Sequence, residues 1–149
     1  MAKKKPVQKK TTPAWVWLAG AAALVAVVVL AVILLGGQST GGVKPLPAEI
    51  SVQEAYELQQ AGAFLLDVRE QVEWNEMHAP GATLVPLGTL GSRLSEVPKD
   101  VPVLVICRSG NRSAEGRDIL KAAGYTQVTS VAGGIRAWSA AGLPTVTGP

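Results

Sequence analysis

The sequence predicts an α/β domain built on a mostly parallel sheet and preceded by one transmembrane helix. Three observations carry this prediction. Short apolar runs alternate with helix-patterned segments over residues 48–145, a stretch rich in Gly, Ser, Thr and Pro occupies 36–47, and an uncharged apolar run extends from Ala14 to Leu35. Strands alternating with helices need crossover connections, which set the strands parallel and cover both sheet faces.

Composition limits the possible functions. The chain has 149 residues, enough for one core and an appendage. Its formal charge of +3 hides an asymmetry, because Lys3, Lys4, Lys5, Lys9 and Lys10 all lie in the first ten residues. Without them the balance is −2, so the folded part is mildly acidic and no nucleic-acid partner is expected. A single cysteine precludes an internal disulfide, and a single histidine leaves no cluster to hold zinc. No metal site and no cofactor are expected.

Residues 1–13 read as a basic cytoplasmic tail and 14–35 as the membrane helix. At 1.5 Å per residue the 22-residue run spans about 33 Å, against about 30 Å of hydrocarbon. Trp15 and Trp17 suit the membrane–water boundary, and the lysines outside them should face the cytoplasm, which places the following domain on the opposite side. Two competing readings are weaker. A cleaved signal has a shorter apolar region, although Gly37-Gln38-Ser39 offers a weak cleavage site, and a buried soluble helix seldom stays apolar on every face. Residues 36–47 form a flexible linker.

Within the domain, Ser51-Val52-Gln53-Glu54 has capping-box spacing, and Val52, Ala55, Tyr56 and Leu58 continue at helical intervals until Gly62. Ala63–Asp67 is an apolar run ending in an acid, as expected of a strand buried on both faces. Val101–Cys107 makes a second buried strand and Gln127–Val131 a third, with a helix over Ser113–Ala123 closed by Gly124. Thr145–Pro149 reads as a short loose tail.

Ligands of parallel sheets sit beyond the carboxyl ends of the strands, and the second strand delivers Cys107 to that edge. Arg108-Ser109-Gly110-Asn111-Arg112-Ser113 follows as a turn able to take left-handed angles, and it leads directly into a helix. Such a turn aims several N–H groups at the sulfur, and with two guanidinium groups it makes an anion cradle that lowers the thiol pKa. The plain alternative is a small buried hydrophobe at a strand end. The cradle, present in register with strand and helix, outweighs it.

Leu65-Leu66-Asp67-Val68-Arg69-Glu70, His78-Ala79-Pro80-Gly81-Ala82, Cys107 through Ser113, Ala123-Gly124-Tyr125 and Gly133-Gly134-Ile135-Arg136-Ala137-Trp138 resemble the rhodanese (sulfurtransferase) family in order and spacing. The resemblance covers about the last two-thirds of the chain and implies a five-stranded parallel sheet flanked by helices. It implies that Cys107 is the nucleophile and persulfide carrier, taking a sulfane sulfur from a small anionic donor such as thiosulfate and passing it to a thiol or other acceptor. Arg108, Ser109, Gly110, Asn111, Arg112 and Ser113 become the substrate-binding loop, with Arg112 expected to point inward. Asp67 and Arg69 take a supporting role, against the alternative of a surface ion pair of little value. Met77 departs from the family pattern, which usually has Gly there, and this puts the backbone near His78 in doubt.

His78 invites assignment as a general base, but it stands alone on its turn and is better read as satisfied by nearby backbone groups. Trp138 is read as core packing. Related phosphatases and arsenate reductases carry a longer loop, whereas Cys107 and Arg112 enclose four residues, a ring suited to one sulfur. The rival class is a tethered, non-catalytic rhodanese-like binding module with a protein partner that the residues do not identify.

Overall fold

The computed structural model describes residues 45–149. The expected tail, the Ala14–Leu35 span and most of the linker lie outside the described residues. Among those described, no helix is long and apolar enough to cross a membrane.

Five parallel strands form one sheet: β1 (Glu49–Ile50), β2 (Phe64–Asp67), β3 (Thr83–Leu84), β4 (Val103–Ile106) and β5 (Val128–Val131). Their order is β1-β5-β4-β2-β3, which puts β4 in the middle. The helices are α1 (Val52–Gln60), α2 (Gln71–Glu76), α3 (Leu87–Leu90), α4 (Asn111–Ala122) and α5 (Gly134–Ala140). Ser51 caps α1 as expected, its hydroxyl accepting from the Glu54 N–H at 3.2 Å. Strands β1 and β3 are two residues each, too short to show a periodicity, and only the resemblance anticipated five strands.

The period-2 geometry of strands divides the apolar residues between two cores. Leu66, Val103 and Val105 face Leu90 of α3 and Leu120 of α4 on one side. Leu65, Leu104 and Ile106 face Val52 and Ala55 of α1 and Ile135 and Trp138 of α5 on the other. All four β4 residues are 0% exposed, which explains why this strand reads as an unbroken apolar run. Gly116 lets α4 sit close on β4, since a Cβ there would meet Val105 Cγ1 at 3.1 Å.

Trp138 belongs to the core as expected: it is fully buried, its Nε1–H donates to the Pro144 carbonyl at 2.9 Å, and Tyr56 meets its ring edge-on. The expectation of a loose tail is corrected. His78 and Val146 exchange two backbone hydrogen bonds of 2.8 Å, and the Gly148 N–H donates to Asn75 at 2.9 Å. Backbone groups left open by the irregular turn after α2 find their partners in this segment, which is what holds it down.

Candidate functional site

The site forms where β4 ends. Cys107 follows Ile106 directly, and its side chain is 1% exposed. Gly110 takes φ 111°, a left-handed angle that an L side chain rarely adopts, and the resulting turn aims its own N–H at Cys107 Sγ at 3.1 Å. Ser113, in the first turn of α4, brings its Oγ to 3.6 Å from Sγ while donating its hydroxyl to the Gly110 carbonyl at 2.8 Å. Burial alone would push the thiol up. The Ser113 hydroxyl and the N–H groups of Gly110, Ser109 and Ser113 together outweigh it and hold the thiol below its ordinary value. Cys107 is therefore buried, as its plain alternative requires, but it is buried among donors that favour its charged form.

Helix α5 secures the loop from the other side. Its unpaired first-turn N–H groups donate into the loop, Ile135 to the Cys107 carbonyl at 2.8 Å and Arg136 to the Arg108 carbonyl at 3.3 Å. This approach requires Gly134, where an added Cβ would fall 2.3 Å from the Cys107 carbonyl oxygen. Gly134 and Arg136 were not singled out as site residues. The Gly133-Gly134 pair at the start of a helix, two residues beyond β5, was the available signal.

Asp67 and Arg69 form a buried fork, which corrects the alternative of a surface pair. Their side chains are 0% and 3% exposed, and Arg69 Nε and Nη2 reach the Asp67 carboxylate at 2.6–3.0 Å. Arg69 also donates to the carbonyls of Glu73 and Met77 at 3.2 and 2.8 Å. Desolvating each ion costs several kcal/mol, so the pair persists because the two charges and nearly all their hydrogen-bonding positions are satisfied together. The Met77 carbonyl serves as one of these acceptors, with Met77 itself in extended backbone, so the departure at this position leaves the turn intact.

Arg112, expected to point inward, lies close enough to Cys107 for their charges to interact, and it is also held by a carboxylate. Its guanidinium makes a bidentate pair with Glu73 of α2, both bonds 2.7 Å, across a gap of 39 residues. Arg112 lowers the Glu73 carboxyl to about 2 against the opposing effect of burial. Glu73, like Gly134, was not anticipated, since only the fold brings α2 against the Cys107 loop.

Beside the loop lies a cleft of about 500 Å³ lined by Arg69, Glu73, Glu76, Met77, Arg108, Ile135 and Arg136. Arg69 is neutralised by Asp67 and Glu73 by Arg112. The charges then left on the cleft wall are Arg108, Arg136 and Glu76. Asn111 begins α4 and contributes backbone to the same turn. His78 takes no part: it is 7% exposed, its Nδ1 lies 3.0 Å from the Trp74 carbonyl, and its ring stacks on Trp74 at 3.7 Å. Among the described residues, no group of acidic, histidine or cysteine side chains could hold a metal ion.

Comparison with known proteins agrees with this geometry. The rhodanese-like domain family matches residues 51–141. The chain is 39% identical over 77 residues to the "Probable adenylyltransferase/sulfurtransferase MoeZ" of Mycobacterium tuberculosis, a match covering 50% of this chain and 20% of that protein. It therefore spans about one-fifth of that relative's length. It is 37% identical over 112 residues to "Thiosulfate sulfurtransferase 16, chloroplastic" of Arabidopsis thaliana, covering 67% of this chain and 93% of the relative. Among solved structures, the rhodanese-related protein of Thermoplasma volcanium superposes with a TM-score of 0.62 at 31% identity, covering 67% of this chain and 98% of that one. Strand order, cysteine loop and sequence match agree, and the chain belongs to the rhodanese-like family.

Proposed function

We propose that this protein is a sulfurtransferase that carries a sulfane sulfur as a persulfide on Cys107. The observation carrying this reading is the Gly110 N–H aimed at Sγ at 3.1 Å, within a loop whose other donors also favour thiolate. In the first half-reaction the thiolate attacks the outer sulfur of a donor such as thiosulfate. An S–S bond forms at Sγ, the donor's S–S bond breaks, and sulfite leaves with the bonding pair. In the second, an acceptor thiolate attacks the outer persulfide sulfur and Cys107 leaves as thiolate. The two exchanges balance without an added oxidant or reductant.

The chain's own residues divide this work. Ser109, Gly110, Asn111 and Ser113 shape the cradle, and the Ser113 hydroxyl can rotate from the Gly110 carbonyl to the sulfur once the thiol loses its proton. Arg108, at the cleft, attracts the donor dianion, while Arg112 acts through Glu73 to hold the cleft wall. Asp67 and Arg69 support that wall from beneath.

The test is mass spectrometry of the folded protein after thiosulfate treatment. A gain of one sulfur that disappears in Cys107→Ala is expected; a folded protein that never gains sulfur would instead be a binding module. Tethering belongs to the same proposal: the Ala14–Leu35 run and the basic tail would hold the domain at a membrane, on the face away from the cytoplasm. A reporter active only outside the cytoplasm, fused at Pro149, should be active. Activity confined to a cytoplasmic reporter would reverse the orientation.

A further inference from the structure

The cleft is larger than a thiosulfate ion requires, and one of its two unpaired arginines is left without a task in the loading step. At about 500 Å³ it falls among small-molecule sites, which run from roughly 300 to 1,000 Å³. Arg108 and Arg136 are both exposed, and neither has a carboxylate partner among the described residues. They are held together by backbone, since the Arg136 N–H donates to the Arg108 carbonyl at 3.3 Å. Glu76 enters the same cleft from α2, whereas Arg108 comes from the Cys107 loop and Arg136 from α5. An anionic ligand is thus directed to the Arg108–Arg136 side and away from Glu76.

We infer that Arg136 is a specificity residue for the acceptor half-reaction, binding a carboxylate of an acidic thiol in the cleft beside the Cys107 loop. The inference rests on the sulfurtransferase reading and adds the class of acceptor, a small thiol bearing one or more carboxylates. Its chemistry follows from the geometry. A guanidinium offers a planar pair of donors that matches a carboxylate, and one carried on the helix next to the loop can hold the body of an acceptor whose thiol reaches the persulfide. A neutral thiol gains nothing from it.

The test uses the full-length protein loaded with thiosulfate, freed of excess donor, and mixed with either mercaptosuccinate or 2-mercaptoethanol. For Arg136→Ala, the ratio of the mercaptosuccinate rate to the mercaptoethanol rate should fall about fivefold to tenfold, as expected for loss of one charge-assisted contact. Arg136→Lys should restore part of that ratio, and Arg136→Glu should depress it further. Equal slowing of both thiols, or an unaltered ratio, would overturn the inference. Succinate titrated into the unloaded protein reads the same contact without sulfur chemistry: its binding, followed by NMR, should weaken in Arg136→Ala. If Cys107 never loads, the sulfurtransferase reading falls, and the succinate titration still decides whether Arg136 binds carboxylates.

Discussion

Two neighbouring strands, β2 and β4, pair in register and both end in polar segments, yet the two ends do opposite things. After β2, Asp67 and Arg69 neutralise each other and Arg69 spends its remaining donors on two carbonyls. After β4, hydroxyl and backbone donors converge on one sulfur that also interacts with the charge of Arg112, and Arg108 on the same loop has no carboxylate partner among the described residues. A charge cluster that is closed on itself serves as scaffold. One that leaves an anion-shaped deficit is available for chemistry.

The largest effect that would separate these ends is at the sulfur. Cys107→Ala should abolish sulfur loading while thermal unfolding shows a retained fold, because a 1%-exposed small residue is replaced by a similar one. A variant that still loaded would remove the distinction. At the β2 end, Asp67→Asn should leave Arg69 buried and uncompensated. A loss of roughly 3 kcal/mol in denaturant unfolding is expected. A loss near zero would mean that the fork is not structural.

Smaller effects sharpen the comparison. Ser113→Ala removes the leading hydroxyl donor while burial remains, so the thiol pKa should rise. Alkylation of Cys107 by iodoacetamide at neutral pH should slow about threefold to tenfold, with the pH midpoint displaced upward. An unmoved midpoint would assign the depression to the backbone N–H groups alone. The smallest effect is at Glu73, part-exposed at 18% and paired with Arg112, 33% exposed. Its folded pKa is lowered from 4.5 to about 2, so its contribution is complete above the unfolded value and is lost as pH falls from about 4.5 toward 2. Glu73→Gln should therefore cost about 1 kcal/mol at neutral pH and remove that part of the acid dependence. Equal acid sensitivity in wild type and variant would contradict the assignment.

Much of this was legible because the relevant pattern is local. Ser51 caps its helix, β4 is apolar throughout, and the Cys107–Ser113 turn lies in one stretch of chain with glycine where the left-handed angle falls. The plain reading of His78 held for the same reason, since its Trp74 partners are four residues away. What was misread or missed depends on distant segments: Glu73 pairs with Arg112, Val146 docks on His78, and Gly134 lies against the Cys107 carbonyl. A fork spaced two residues apart, Asp67 with Arg69, could be paired from sequence but not placed inside or outside, because burial is set by what α2 and its following turn lay over it.

By itself the sequence determined the alternation of strands and helices, the family resemblance and the place of Cys107 at the carboxyl edge of the sheet, because periodicity, turn chemistry and motif spacing act over a few residues. The tertiary structure decided which charges are spent and which remain available. Electrostatic pairing depends on distance in space: only the fold shows Asp67 and Glu73 consuming Arg69 and Arg112 while Arg108 and Arg136 stay open on the cleft.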